Sequence, residues 1–177
     1  MKNVIFLLSC CILLWTCESC KKTDDPVTPP PPSPVDLLPE THDVDALSVF
    51  ACLVNGEVWK PSWGFNTLTY SYHEPTGGLS IGAENHSNNN SVVIGFSVNF
   101  LDTGVYLLKH PVYLDLNFCI AGYELDTLSS YQTEIEYFSK DEGVIIGTFE
   151  FTAINNECTD NIDTVRITEG RFKATYK

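Results

Sequence analysis

The sequence predicts an all-β domain, an antiparallel β-sandwich or partly open β-barrel of about eight to ten short strands. Three observations carry this. From Asp45 onward apolar and polar residues alternate at period two, in runs dominated by β-branched and aromatic types. Clusters of Gly, Pro, Asn, Asp and Ser separate those runs at short intervals. No window carries an apolar stripe of helical period long enough to define a helix.

Taken in order, LSVFACLVNGEVWKP opens the domain as a hairpin. Its Asn55-Gly56 pair supplies the two positive-φ positions of a type I′ turn. Further strands are expected over 67–72, 79–83, 92–100, 105–108, 133–138, 144–154 and 164–167, with a last one over 171–176. The expected connectors are Glu74–Gly78, the polar run Glu84–Asn90, Asp102–Gly104, Lys140–Gly143 and Glu169-Gly170. Residues 125–132 are the one place where a turn of helix is expected. Within 144–154, alternation assigns Ile145, Gly147, Phe149, Phe151 and Ala153 to the core face and Ile146, Thr148, Glu150 and Thr152 to the other.

Ahead of the domain, Met-Lys-Asn is followed by VIFLLSCCILLW, twelve residues from Val4 to Trp15. A helix needs roughly 20 apolar residues to cross a hydrocarbon core, so twelve reads as the apolar region of an export signal. The run ends at L-W-T-C rather than at an Ala-x-Ala type site, which is the pattern of a lipoprotein signal whose cysteine is acylated. Cys17 follows the apolar region directly and is the favoured acylation site. Cys20 has the better preceding residue, Ser19, but would draw Glu18 toward the membrane, where a carboxylate is costly. The alternatives are an ordinary secreted protein with stray cysteines and a strained Cys17–Cys20 disulfide. KKTDDPVTPPPPSP then reads as a solvated, extended polyproline spacer. The expected layout is a signal peptide over 1–16, an acylated, disordered tether over 17–44 and the β domain over 45–177.

The whole chain has 10 Lys and Arg against 23 Asp and Glu, a formal net charge of −13. Such a surface repels nucleic acid and gains nothing from anionic lipid, so membrane attachment rests on the acyl group. The domain's cysteines are Cys52, Cys119 and Cys158, which leaves room for one disulfide in an oxidising compartment, with the pairing open. Within the domain no C-x-x-C or His-x-His spacing supports a zinc site, and no cofactor is expected.

The combination of C-L-V-N-G-E-V-W (52–59), I-I-G-T-F-E-F-T-A-I-N (145–155) and I-T-E-G-R-F (167–172) resembles a family of uncharacterised lipoproteins from Bacteroidota. The resemblance covers nearly the whole domain and implies a β fold at the cell envelope, at the outer membrane, but no catalytic residue. The chain departs from the family pattern after Phe172, where lysine stands in place of an acidic residue.

Four sets of residues invite a chemical reading. Trp59, Trp63, Tyr70 and Tyr72 would stack on sugar rings if exposed, and are core or loop cover if not. Glu134, Glu136 and Glu150 on adjacent strands could serve glycoside hydrolysis, against the plainer reading of a solvated strand face. Glu157, Asp160 and Asp163 crowd one loop with oxygen ligands suited to calcium, but without EF-hand spacing. His42, His73, His86 and His110 are scattered, and no Ser, His and Asp set has a recognisable local motif. The sequence therefore reads as a non-enzymatic binding or assembly module whose partner is a glycan or another envelope protein. Its alternatives are a glycan-acting enzyme using the carboxylate face and a β-barrel carrier of a small apolar ligand.

Overall fold

The computed structural model describes residues 31–42, 48–62, 67–87, 90–116, 122–155, 157 and 163–177. The expected signal segment, both acylation candidates Cys17 and Cys20, Trp63, Cys119, Cys158 and Asp160 lie outside them. Among the described residues no helix is long and apolar enough to cross a membrane.

The fold is an all-β sandwich of two antiparallel sheets. Eleven strands are present among the described residues: β1 (Val49–Val54), β2 (Glu57–Trp59), β3 (Leu68–His73), β4 (Gly78–Ser87), β5 (Asn90–Asn99), β6 (Gly104–Leu107), β7 (Lys109–Asp115), β8 (Glu124–Leu125), β9 (Gln132–Ser139), β10 (Val144–Asn155) and β11 (Asp163–Thr175). The larger sheet runs β2-β1-β11-β10-β9-β6, with β8 also paired to β10, and the smaller runs β3-β4-β5-β7.

The β1–β2 turn has φ of 51° at Asn55 and 86° at Gly56, the pair of positive values that a type I′ hairpin requires. Asn55 adds a long-range tie, because its Oδ1 accepts the Arg166 N–H at 2.9 Å. Leu108 alone separates β6 from β7, so here the chain turns from the larger sheet into the smaller within one residue. That corner is held by burial of Leu108 and by its N–H donating to Tyr131 O at 3.1 Å.

Alternation places Phe50 and Cys52 of β1, Leu79 and Ile81 of β4, Ile94 and Phe96 of β5, Phe149 and Phe151 of β10, and Phe172 of β11 in one core. The rings interlock: Phe149 lies 4.9 Å from both Phe50 and Phe96, and Phe96 lies 5.6 Å from Phe172. The space between the sheets is thus filled by side chains, and the interior that an apolar-ligand carrier needs is occupied by these rings.

Four expectations are corrected. Glu169-Gly170 is not a connector between two strands. It is a bulge inside the continuous β11, where Glu169 takes φ of 51° and the register with β10 shifts between Phe149 and Phe151. Glycine is needed there, since a Cβ on Gly170 would lie 2.4 Å from Phe149 O. Residues 125–132 form no helix: Asp126 accepts the Leu128 N–H at 3.0 Å and the Ser129 hydroxyl at 2.5 Å, closing a side-chain-capped turn after β8. Glu84–Asn90 is not a connector, because β4 runs to Ser87 and β5 starts at Asn90.

The last correction concerns the tether, which was expected to lack structure as far as residue 44. Its C-terminal part instead packs on the domain. Ser33 caps a 3-10 turn at Pro34–Leu37, with proline at its start and the Asp36 carboxylate accepting the Ser33 N–H at 2.9 Å and hydroxyl at 2.8 Å. Those bonds from Ser33 hold the Asp36 carboxyl below the usual range. The turn seats Leu38 on Ala51 and Leu53, the outward side chains of β1, with Val35 and Val58 alongside.

Candidate functional site

The outward face of the larger sheet is built in rows by strand register. Val105 of β6 lies opposite Glu134 of β9, Glu134 opposite Thr148 of β10, and Thr148 opposite Arg171 of β11. One step along, Leu107 faces Gln132 and Gln132 faces Glu150. The β11 bulge bends the sheet beside these rows and brings Glu169 to them. The result is a cleft of about 230 Å³ whose polar lining includes Gln132, Glu134, Glu150, Glu169 and Arg171.

Two groups in the cleft are fixed by neighbours. Glu150 Oε1 accepts the Ser130 hydroxyl at 2.6 Å and the Gln132 side-chain N–H at 3.0 Å. Arg171 Nη1 donates to Pro39 O at 3.4 Å and lies 4.0 Å from Glu40 Oε1, so the docked leader segment forms part of the cleft's surroundings. Three carboxylates, one guanidinium and one amide can together accept from and donate to a polyhydroxylated or polar peptide ligand. Val105 and Leu107 stand exposed beside them and offer apolar contact.

The structure sorts the sequence candidates. Of the three-carboxylate face, Glu134 and Glu150 line the cleft, whereas Glu136 is the extra residue of a β9 bulge and lies outside it. Glu169 and Arg171 were missed because the former was read as a turn residue. An acidic-Gly pair inside an otherwise alternating strand is the signal of a bulge that could have found it.

Trp59, Tyr70 and Tyr72 do not form an exposed stacking platform; all three pack against the core. Trp59 meets Phe50 edge-on at 6.1 Å. The Tyr70 hydroxyl accepts from Ser48 Oγ at 3.1 Å. Tyr72 stacks on Phe100 at 5.7 Å and meets Tyr176 at 4.7 Å. Aromatics at alternate positions of a strand share one face, and here that face is the buried one.

At the opposite end, Asp163 accepts a short hydrogen bond from the Tyr123 hydroxyl, and burial together with that bond pushes the Tyr123 phenol well up. Glu157 is exposed, and its N–H donates to Asn155 Oδ1 at 2.9 Å. Among the described residues no three His, Cys, Asp or Glu side chains converge as metal ligands would. Comparison with known protein families, with curated proteins and with solved structures finds no match to this chain.

Proposed function

We propose that this chain is a lipid-anchored cell-envelope protein of the outer membrane, acylated at Cys17 with Cys20 as the alternative. Its β domain would serve as a binding or assembly module. The observation that carries the anchor is the twelve-residue apolar run ending at a cysteine, followed by charge and then by proline. The binding face is the cleft between Val105 and Arg171, and its partner is a glycan or another envelope protein. Supporting that choice, the cleft combines fixed acceptors, a guanidinium and flanking exposed aliphatic side chains on one open sheet face. Electrostatics favour a neutral or cationic partner, since the formal charge of −13 opposes polyanions.

Metabolic labelling with a fatty-acid probe tests the anchor. Label is expected on the wild type and absent from Cys17→Ala; a wild type that never labels removes the lipoprotein reading. Arrayed neutral and basic glycans and envelope extracts test the module, with Arg171→Ala and Glu150→Ala expected to weaken whatever binds.

A further inference from the structure

A second chemically organised group sits on the smaller sheet, far from the strands that line the cleft. Glu84 and His86 are two residues apart on β4 and so share a face. Register places Ser91 of β5 directly opposite His86. The three side chains connect: His86 Nδ1 lies 2.8 Å from Ser91 Oγ, and His86 Nε2 lies 2.9 Å from Glu84 Oε2. One tautomer satisfies both contacts, with Nε2–H donating to the carboxylate and Nδ1 accepting the serine hydroxyl proton.

The neighbourhood fixes this arrangement. The His86 N–H donates to Ser62 Oγ at 3.1 Å, the Ser62 N–H donates to Glu84 O at 3.1 Å, and the Asn85 side-chain amide donates to Lys60 O at 2.5 Å. The segment 60–62 thereby braces β4 where the relay sits. Alongside lies an open groove of about 490 Å³ on the smaller sheet, lined in part by Thr69, Ser80, Gly82, Val93, Gly95 and Val112. Val93 is the cross-strand partner of Glu84, so the groove leads to the relay. Its glycine and serine floor lets a chain lie close to the sheet.

We propose that Ser91, His86 and Glu84 form a nucleophile, base and positioning carboxylate that cleave a carboxylic ester whose acyl or alcohol part lies in this groove. Ser91 Oγ forms a bond to the ester carbonyl carbon while its proton passes to His86 Nδ1. The carbon–oxygen bond to the alcohol then breaks, and the alcohol leaves with that proton. Water attacks the acyl-serine, gives a proton to His86, and releases the acid as the serine recovers its hydrogen. The side chains of His86 and Glu84 are 51% and 45% exposed, which admits substrate but leaves the relay in a high dielectric. Turnover is accordingly expected to be slow and best with activated esters.

The test uses the full chain and a fluorophosphonate probe, whose phosphorus bonds to a nucleophilic serine as fluoride leaves. Mass spectrometry is expected to find the adduct on Ser91 and none in Ser91→Ala. His86→Gln should slow labelling at least tenfold. Glu84→Gln should lower the labelling rate constant at an unchanged probe saturation constant, with Glu84→Asp recovering part of it. Thermal unfolding of each variant separates loss of reactivity from loss of fold. No adduct on Ser91 in the wild type, or equal rates in wild type and His86→Gln, would overturn the relay; equal rates in Glu84→Gln would remove the carboxylate from it. None of these outcomes bears on the anchor or on the cleft of the larger sheet.

Discussion

Phe149 and Phe151 are each 2% exposed, while Glu150 between them points out into the cleft. Truncating either ring to alanine removes contacts on several sides and should cost about 3–5 kcal/mol. Glu150→Ala deletes two exposed hydrogen bonds and should shift stability by less than about 0.5 kcal/mol. Urea unfolding of the three variants checks both figures, and a costly Glu150→Ala beside a tolerant Phe151→Ala would mean the strand is inside out. A second prediction concerns Cys52, a fully buried free thiol that burial pushes up from 9.0 to about 12. Above about pH 9 the unfolded chain loses this proton while the folded chain keeps it, so the thiol's contribution is complete below that pH and declines toward pH 12. The slope for one proton is about 1.4 kcal/mol per pH unit. Burial also raises the Tyr113 phenol to about 12, adding to the decline above its ordinary value of 10.0. Unfolding followed from pH 8 to 11 should show the loss, and Cys52→Ala should flatten the earlier part of it.

Single elements decide how the site is shaped. The β11 bulge is one residue of irregularity, yet it sets Glu169 beside Glu150 and lets Arg171 lie opposite Thr148. The segment ending at Leu38 acts as an extra layer on β1, since without it Ala51 and Leu53 would face water. Leu38→Ala should therefore destabilise the domain by roughly 2 kcal/mol, the lower end for a buried leucine, because the strap can settle inward. Limited proteolysis should leave a resistant fragment that still contains residues 33–41. A fragment starting after Thr41 with undiminished stability would show that the strap contributes nothing.

Across the whole molecule, two sheets share one aromatic core and meet at the β6–β7 corner. Among the described residues, rings in mutual contact fill the space between the sheets where a lipid-carrying barrel would hold its ligand. An environment-sensitive apolar dye should stay dark with the native protein and brighten only as it unfolds. Strong native fluorescence that an apolar ligand displaces would restore the carrier alternative. The acidic charge acts at this scale too, since it favours solubility and repels polyanions whichever face binds.

The amino-acid sequence by itself determined the all-β class, the Asn55-Gly56 hairpin and the inward set on β10, because period-two alternation and turn chemistry are local properties of the chain. It also supplies the whole basis for the proposed anchor. Other features depended on tertiary structure. Whether Tyr70 and Tyr72 face a ligand or a core depends on which side of the sheet the other sheet covers, and alternation is symmetric between the two. β7 was not legible, since Pro111 near its start lacks a ladder donor and is tolerated only because β7 is an edge strand. The cleft and the Ser91–His86–Glu84 relay each join residues through register between strands, a non-local quantity that a one-dimensional pattern does not encode.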